Sequence, residues 1–329
     1  MSTDIQGKPQ NAMPFSYGGQ AVIEGVLMRG ANTSAIAVRD PEGRIVVYEQ
    51  PLNKTIYGGR IKKIPFVRGI IGLWDALGLG TRALMWSADI AMGEEEDINF
   101  NGPIGFITVA FSLALGVGLF FLLPSAASAG IEDTLGIESA FLANLLEGLI
   151  RLVILLAYIS VIGLMPDIKR LYAYHGAEHK TINAYEAGAE LTPETVTTYP
   201  IEHVRCGTAF LLIVVFVSIL VYSLLGHQDL LWRFLSRVIL IPVIAGISYE
   251  YLRFTAKHTD NRAIRIIIKP NLALQHLTTR EPDLDMIEVG ITALKRVLLS
   301  EKLIAEEDAV IPTELKPQNT SFAPQVSGD

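Results

Sequence analysis

The sequence predicts an α-helical integral membrane protein of about four spans, with a small cytoplasmic α+β portion containing an N-terminal β-hairpin. Three observations carry this expectation. Half of the 329 residues are hydrophobic and the mean hydropathy is +0.37, too high for an ordinary soluble protein. Several apolar segments approach the roughly twenty helical residues needed to cross a hydrocarbon core about 30 Å thick. Lys and Arg gather in some connections between these segments, and Asp and Glu in another.

The elements follow in chain order. Residues 1–16 are polar, carry no signal-peptide pattern and are expected to be a disordered tail. Residues 17–64 hold a small β element: "QAVIEGVLM", "SAIAVRD", the turn "DPEG" with Pro41 and Gly43, and "RIVVYEQ". Residues 65–92 predict an amphipathic interfacial helix opened by Pro65. Its Arg68, Asp75, Arg82 and Asp89 recur every seven residues on one stripe, with Trp74 and Trp86 suited to a membrane interface. A stripe lining a polar cavity is the alternative. The acidic turn "GEEEDINFNG" follows.

The membrane domain is expected over 104–250, with spans near 104–123, 149–165, 209–226 and 230–249. Arg151 lies near enough to one end of the second span to snorkel. The fourth is the shortest apolar run and spans only if extended back through "LLWRFLSR", with Arg233 and Arg237 near the interface. Residues 251–311 predict a cytoplasmic C-terminal region: a short strand or helix end, a turn, and a final amphipathic helix capped by Asp283 or Asp285. Residues 312–329 again read as a disordered tail.

The connection at 124–148 has no Lys or Arg and carries Glu132, Asp133, Glu138 and Glu147. The connection at 166–208 has Lys169, Arg170, Lys180 and Arg205, and Arg253, Lys257, Arg262 and Arg265 follow the fourth span. Both termini and the 166–208 loop are therefore expected in the cytoplasm, in the cell (cytoplasmic) membrane, although Arg233 and Arg237 run against the rule. The net charge of −7 and pI near 5.5 argue against a nucleic-acid partner. The lone Cys206 allows no internal disulfide and suits a reducing compartment.

That loop carries the chemistry. In "AYHGAEHKTINAYEAG", His175, Glu178 and His179 spell H-x-x-E-H, the pattern in which two histidines one helical turn apart hold zinc and the glutamate serves as general base. On an ideal helix Glu178 projects about 60° away from the histidine face. The motif is short, and "EHVRCGT" adds weight by placing His203 and Cys206 just before the third span. His175, His179 and either His203 or Cys206 would complete a catalytic set, while all four would close a structural site. A Cys206 nucleophile paired with His203 ranks lower, since nothing local supplies an oxyanion hole. Glu24, Glu186 and Glu250 are further acidic candidates. Glu24 and Glu250 lie in apolar contexts that demand a metal or a basic partner, Arg29 and Arg253 being the nearest. His258 and His276 read as structural or solvated.

The stretches "GGQAVIEGVLMRG", "YHGAEHKTINAYE", "RCGTAFLLIV" and "LALQHLTTREPD" resemble the bacterial membrane proteins of domain-of-unknown-function family 1385, from about Tyr17 to Leu299. The resemblance implies a multi-span protein, described as a predicted metal-dependent enzyme, with metal residues at His175, His179, His203 and Cys206. Where the family usually reads His-Pro-Arg-Cys, this chain has "HVRC", with Val204 in place of the proline.

The expected function is a membrane-bound zinc hydrolase working at the cytoplasmic face on a lipid-linked, peptide or other amphiphilic substrate, with Glu178 as catalytic base and the bilayer as partner. The alternatives are a scaffold with a structural metal site and a small transporter, against which the uninterrupted first and third spans speak.

Overall fold

The computed structural model describes residues 17–52, 64, 66–93, 103–226, 228–309 and 313–315. The expected tail at 1–16, the acidic turn at 94–102, the side chain of Asp75 and residues 316–329 lie outside the described residues.

The expected hairpin is part of a larger sheet. Strands β1 (Gly18–Val22), β2 (Gly25–Arg29), β3 (Thr33–Arg39) and β4 (Ile45–Pro51) pair antiparallel in chain order. A short parallel strand, β5 (Thr313–Leu315), joins β4 from within the stretch read as tail. "QAVIEGVLM" splits at the two-residue turn Ile23–Glu24, where Glu24 sits at φ 51°, a left-handed conformation uncommon for a side-chain-bearing residue. The "DPEG" turn forms as expected between β3 and β4, with Gly43 at φ 84°. Alternation sorts the strand residues onto two faces. Val26, Met28, Ala35, Ala37, Ile45 and Val47 face one core, and Leu27, Ile36, Val38, Val46 and Tyr48 face another.

The charge-striped helix is α1 (Val67–Met92). Its C-terminal half covers the second sheet face with Ala83 and Trp86, so Trp86 is a core residue rather than an interfacial anchor. Trp74 is 79 % exposed. Near the start of α1, Gly69 lies against Tyr249 and Arg68 grips Glu250 through Nε and Nη2. Arg68, not Arg253, is thus the ion-pair partner of Glu250.

The apolar helices are longer than their hydrophobic cores. Helix α2 (Pro103–Val117), a π turn (Gly118–Leu122) and α3 (Leu123–Leu135) run on as one helical stretch, and α4 (Ala140–Ile162) starts after a short turn at Gly136. The loop expected at 124–148 is therefore mostly helix. Next come α5 (Pro166–Glu186), the short α6 (Pro193–Val196) and α7 (Gly207–Ser223). Helices α8 (Leu230–Ile239) and α9 (Ile241–Lys257) meet at a 45° bend, with Pro242 in the first turn of α9. Among the described residues, Gly105–Leu135 and Ala140–Ile162 are long and apolar enough to cross a membrane. The bent pair counted as one span makes a third, and α7 is a shorter apolar helix.

The first apolar stretch is not uninterrupted. Pro124 has no N–H to give to the carbonyl four residues back, and its ring crowds that carbonyl. The π turn absorbs the misfit: Leu123 N–H reaches Gly118 O, and the released Phe120 carbonyl accepts from Arg151 Nε at 2.8 Å. Arg151 belongs to a buried network. Glu147, 1 % exposed, pairs with Arg151 (2.6 Å), Arg237 (2.7 Å) and Arg233 (3.1 Å), and Arg233 also holds Glu132 (2.7 Å). Arg237 lies over the Tyr222 ring, 4.2 Å from its centroid. The three arginines expected at the interface are thus inside the bundle, and their carboxylate partners are what allow α3 and α4 to extend past the apolar cores.

Helix α8 is the reverse of a helix on a water-soluble protein. Arg233, Ser236 and Arg237 point inward, while Leu231, Trp232, Leu235, Val238 and Ile239 are exposed. Where a strand or helix end was expected, two helices form, α10 (Arg262–Ile267) and α11 (Lys269–Thr278). The final helix is α12 (Leu284–Ser300). Asp283 takes its N-cap position, though its side chain makes no capping hydrogen bond. Helices α5 and α12 close the first sheet face, with Ile182, Ile287, Ile291, Leu294 and Leu298 completing that core.

Candidate metal centre

Helix α5 brings His175, Glu178 and His179 to one place, and it is locked from several sides. A Cβ on Gly176 would run into the Arg280 carbonyl, and one on Gly290 of α12 would stand 2.9 Å from Thr181 Oγ1. On β1, a Cβ at Gly19 would stand 2.5 Å from Leu27 O and 2.9 Å from Glu178 Cγ, so the small residue there is what gives Glu178 room. Near the start of the helix, Arg170 forks onto Glu24 (Nε–Oε1 2.6 Å, Nη2–Oε2 2.5 Å), and Tyr174 OH donates to the same carboxylate at 3.2 Å. The Arg170 hydrogen bonds hold the Glu24 carboxyl below its ordinary range. Glu24 is therefore a clamp between the β1–β2 turn and α5, and its partner is Arg170 rather than Arg29.

The two histidines have fixed tautomers. His175 Nδ1 is 2.9 Å from Thr278 O and His179 Nδ1 is 2.5 Å from Ile201 O. A carbonyl can only accept, so each Nδ1 carries a proton, and in the neutral imidazole Nε2 is left as the ligand atom. His175 Nε2 lies 3.2 Å from Cys206 Sγ. His179 Nε2 is buried with no hydrogen-bond partner, in a residue only 1 % exposed. The ligand atoms of His175, His179 and Cys206 all lie within 4.8 Å of one another.

Cys206 is the N-cap of α7. Its Sγ accepts from Thr208 N–H at 3.4 Å and sits 3.1 Å from Thr208 Oγ1. Glu178 is buried, and its Oε2 lies 3.9 Å from His175 Nε2 and 3.8 Å from His179 Nε2. The length of the side chain makes up for its angular offset on the helix.

His203 stands one ring away, its centroid 5.7 Å from that of His179. Both of its backbone polar groups bond the buried Gln275 side chain, at 2.8 and 2.9 Å. Its Nε2 is buried without a hydrogen-bond partner, 3.7 Å from Glu186 Oε2. Burial pushes the Glu186 carboxyl up, but the facing His203 ring and the Arg205 guanidinium outweigh it and hold the group below its usual range. Of the two choices for a third ligand, geometry brings Cys206 into the cluster and leaves His203 beside it. Sequence reasoning missed Thr278, Ile201 and Gln275, since backbone acceptors and a lone glutamine leave no pattern. His258 and His276 lie apart, His258 on the Phe254 carbonyl and His276 beside Glu202.

A family model described as "Protein of unknown function (DUF1385)" matches residues 64–300. The chain belongs to this family. The matched region holds every residue of the cluster and the carbonyls behind it, while β1 to β4 precede it. "Uncharacterized protein YqhQ" of Bacillus subtilis (strain 168) is similar as well, 34% identical over 307 residues that cover 89% of this chain and 96% of the relative. No solved structure matches the chain.

Proposed function

We propose that the chain is a four-span integral membrane protein carrying a zinc-dependent hydrolase site at the cytoplasmic membrane face. The observation that carries the catalytic reading is the convergence of ligand atoms of His175, His179 and Cys206 within 4.8 Å, with Glu178 Oε2 beside them. His175, His179 and Cys206 would hold the ion, which supplies Lewis acidity toward a carbonyl or phosphoryl group. Three ligands with a carboxylate alongside suit catalysis better than the four-ligand closure of a structural site. Glu178 Oε2 takes the proton of the attacking water, and the Thr278 and Ile201 carbonyls keep the ring nitrogens aimed. Cys206 caps α7, a shorter apolar helix; with α7 read as a span, the cluster would lie at a membrane boundary, where an amphiphilic substrate fits.

The membrane reading rests on α8. Charge turned inward and aliphatic side chains turned outward is the arrangement an apolar solvent selects. The four spans are then α2 with α3, α4, α7, and the bent α8–α9 pair, with both chain ends in the cytoplasm.

A second reading has its own observation: Cys206 Sγ lies 3.2 Å from His175 Nε2, as a thiol nucleophile lies from its base. It leaves the unpartnered His179 Nε2 and the placement of Glu178 without a role, so the metal reading is preferred.

The test is turnover of amphiphilic ester, amide and phosphodiester substrates by zinc-loaded protein in detergent. Wild type hydrolyses one class, and Glu178→Gln at equal zinc content does so at least about 100-fold more slowly. No turnover of any class, or equal turnover by the variant, overturns the hydrolase.

A further inference from the structure

We infer that α10 and its flanks form a docking surface for anionic phospholipid headgroups. The chain as a whole is acidic, at −7, yet residues 257–269 hold four cations, Lys257, Arg262, Arg265 and Lys269, against the single carboxylate of Asp260. All four are exposed, and none makes an ion pair or side-chain hydrogen bond among the described residues. By contrast Arg68, Arg151, Arg170, Arg205, Arg233 and Arg237 are held by carboxylates. Four exposed cations against one carboxylate give this short segment a local positive field that an external anion can meet.

The neighbouring side chains decide which anion. Phe254, Ile266 and Ile267 are exposed within and beside the basic cluster. Arg262 and Arg265, three residues apart on a helix, share a side, and Ile266 follows directly. Cations interleaved with aliphatic and aromatic side chains suit a headgroup layer over hydrocarbon, where a nucleic acid or a free phosphate would leave the apolar groups in water. Position agrees. The segment begins where α9, the second arm of the bent pair, ends. It runs into α11, whose C-terminal residues Gln275 and Thr278 grip His203 and His175.

The experiment uses the full chain in nanodiscs of phosphatidylglycerol and phosphatidylcholine mixed equally, with the lipids retained on gentle extraction counted by mass spectrometry. Wild type keeps phosphatidylglycerol over phosphatidylcholine by about tenfold or more, and R262Q/R265Q/K269Q loses the preference. Raising the salt from 0.15 to 1 M shortens the screening length from about 8 to 3 Å and weakens the preference in wild type, a reading that needs no variant. Equal retention of the two lipids by wild type, a preference unchanged in the variant, or displacement of the lipid by an equimolar single-stranded oligonucleotide overturns the inference. It rests on the membrane reading, and the two fail differently. A chain released from membranes by alkaline carbonate sinks the membrane reading, whereas a chain that stays embedded without headgroup preference sinks this one alone.

Discussion

Arg151 donates to the Phe120 carbonyl because Pro124, four residues further on, cannot. A break in one apolar helix is thereby filled by the charged side chain of the next, and the same guanidinium carries the Glu147 network. Replacing Glu147 with Gln leaves Arg151, Arg233 and Arg237 with Glu132 as the one carboxylate among them. Breaking a buried charge network in this way costs about 3–5 kcal/mol. Thermal unfolding in detergent, followed by tryptophan fluorescence, should show a clear fall in midpoint for Glu147→Gln. An unchanged midpoint would mean that the network does not form.

Gly19 gives a prediction that separates the base from the ligands. A methyl group there collides with Leu27 O, a backbone atom, and with Glu178 Cγ, so one of them must shift. Gly19→Ala should lower stability by about 1–3 kcal/mol. Because the collision falls on Glu178, zinc content should stay close to that of wild type while any hydrolytic turnover drops. Loss of both together would show that β1 supports the whole cluster instead.

The Glu24–Arg170 fork predicts a pH signature. The Glu24 carboxyl is held below its ordinary value, so its contribution is complete above the unfolded carboxylate value near about 4.3 and is lost as pH falls through the lower folded value. Both partners are partly exposed, which limits the contribution to about 1 kcal/mol. Stability curves of wild type and Glu24→Gln should run parallel from neutral pH down to about pH 5 and converge below about pH 4. Curves that converge on raising the pH would assign the contribution to another group.

The site was legible where chemistry repeats locally. His175 and His179 lie one turn apart, and Cys206 lies in the same connection, so periodicity and proximity placed them together. What surrounds them was not legible. The carbonyls of Thr278 and Ile201 set the tautomers, and any residue type supplies a carbonyl. Glu24 meets Arg170 and Glu250 meets Arg68 across long stretches of chain, so the local partners Arg29 and Arg253 were the natural but incorrect choices. The apolar helices were placed but cut short, because Glu132 and Glu147 read as loop residues until Arg233 and Arg237 are seen to pair with them. The two-sided sheet was read as a hairpin because its covering helices, α1, α5 and α12, come from three distant parts of the chain.

The most direct test of the metal centre is elemental analysis of detergent-purified wild type, His179→Ala and Cys206→Ser, each verified as a single monodisperse species. About one zinc per wild-type chain is expected, lost in His179→Ala and sharply reduced in Cys206→Ser, whose hydroxyl can still cap α7 but is a poor zinc ligand. A wild-type chain that holds no zinc after loading and removal of excess, or a His179→Ala chain that keeps it, would contradict the metal centre.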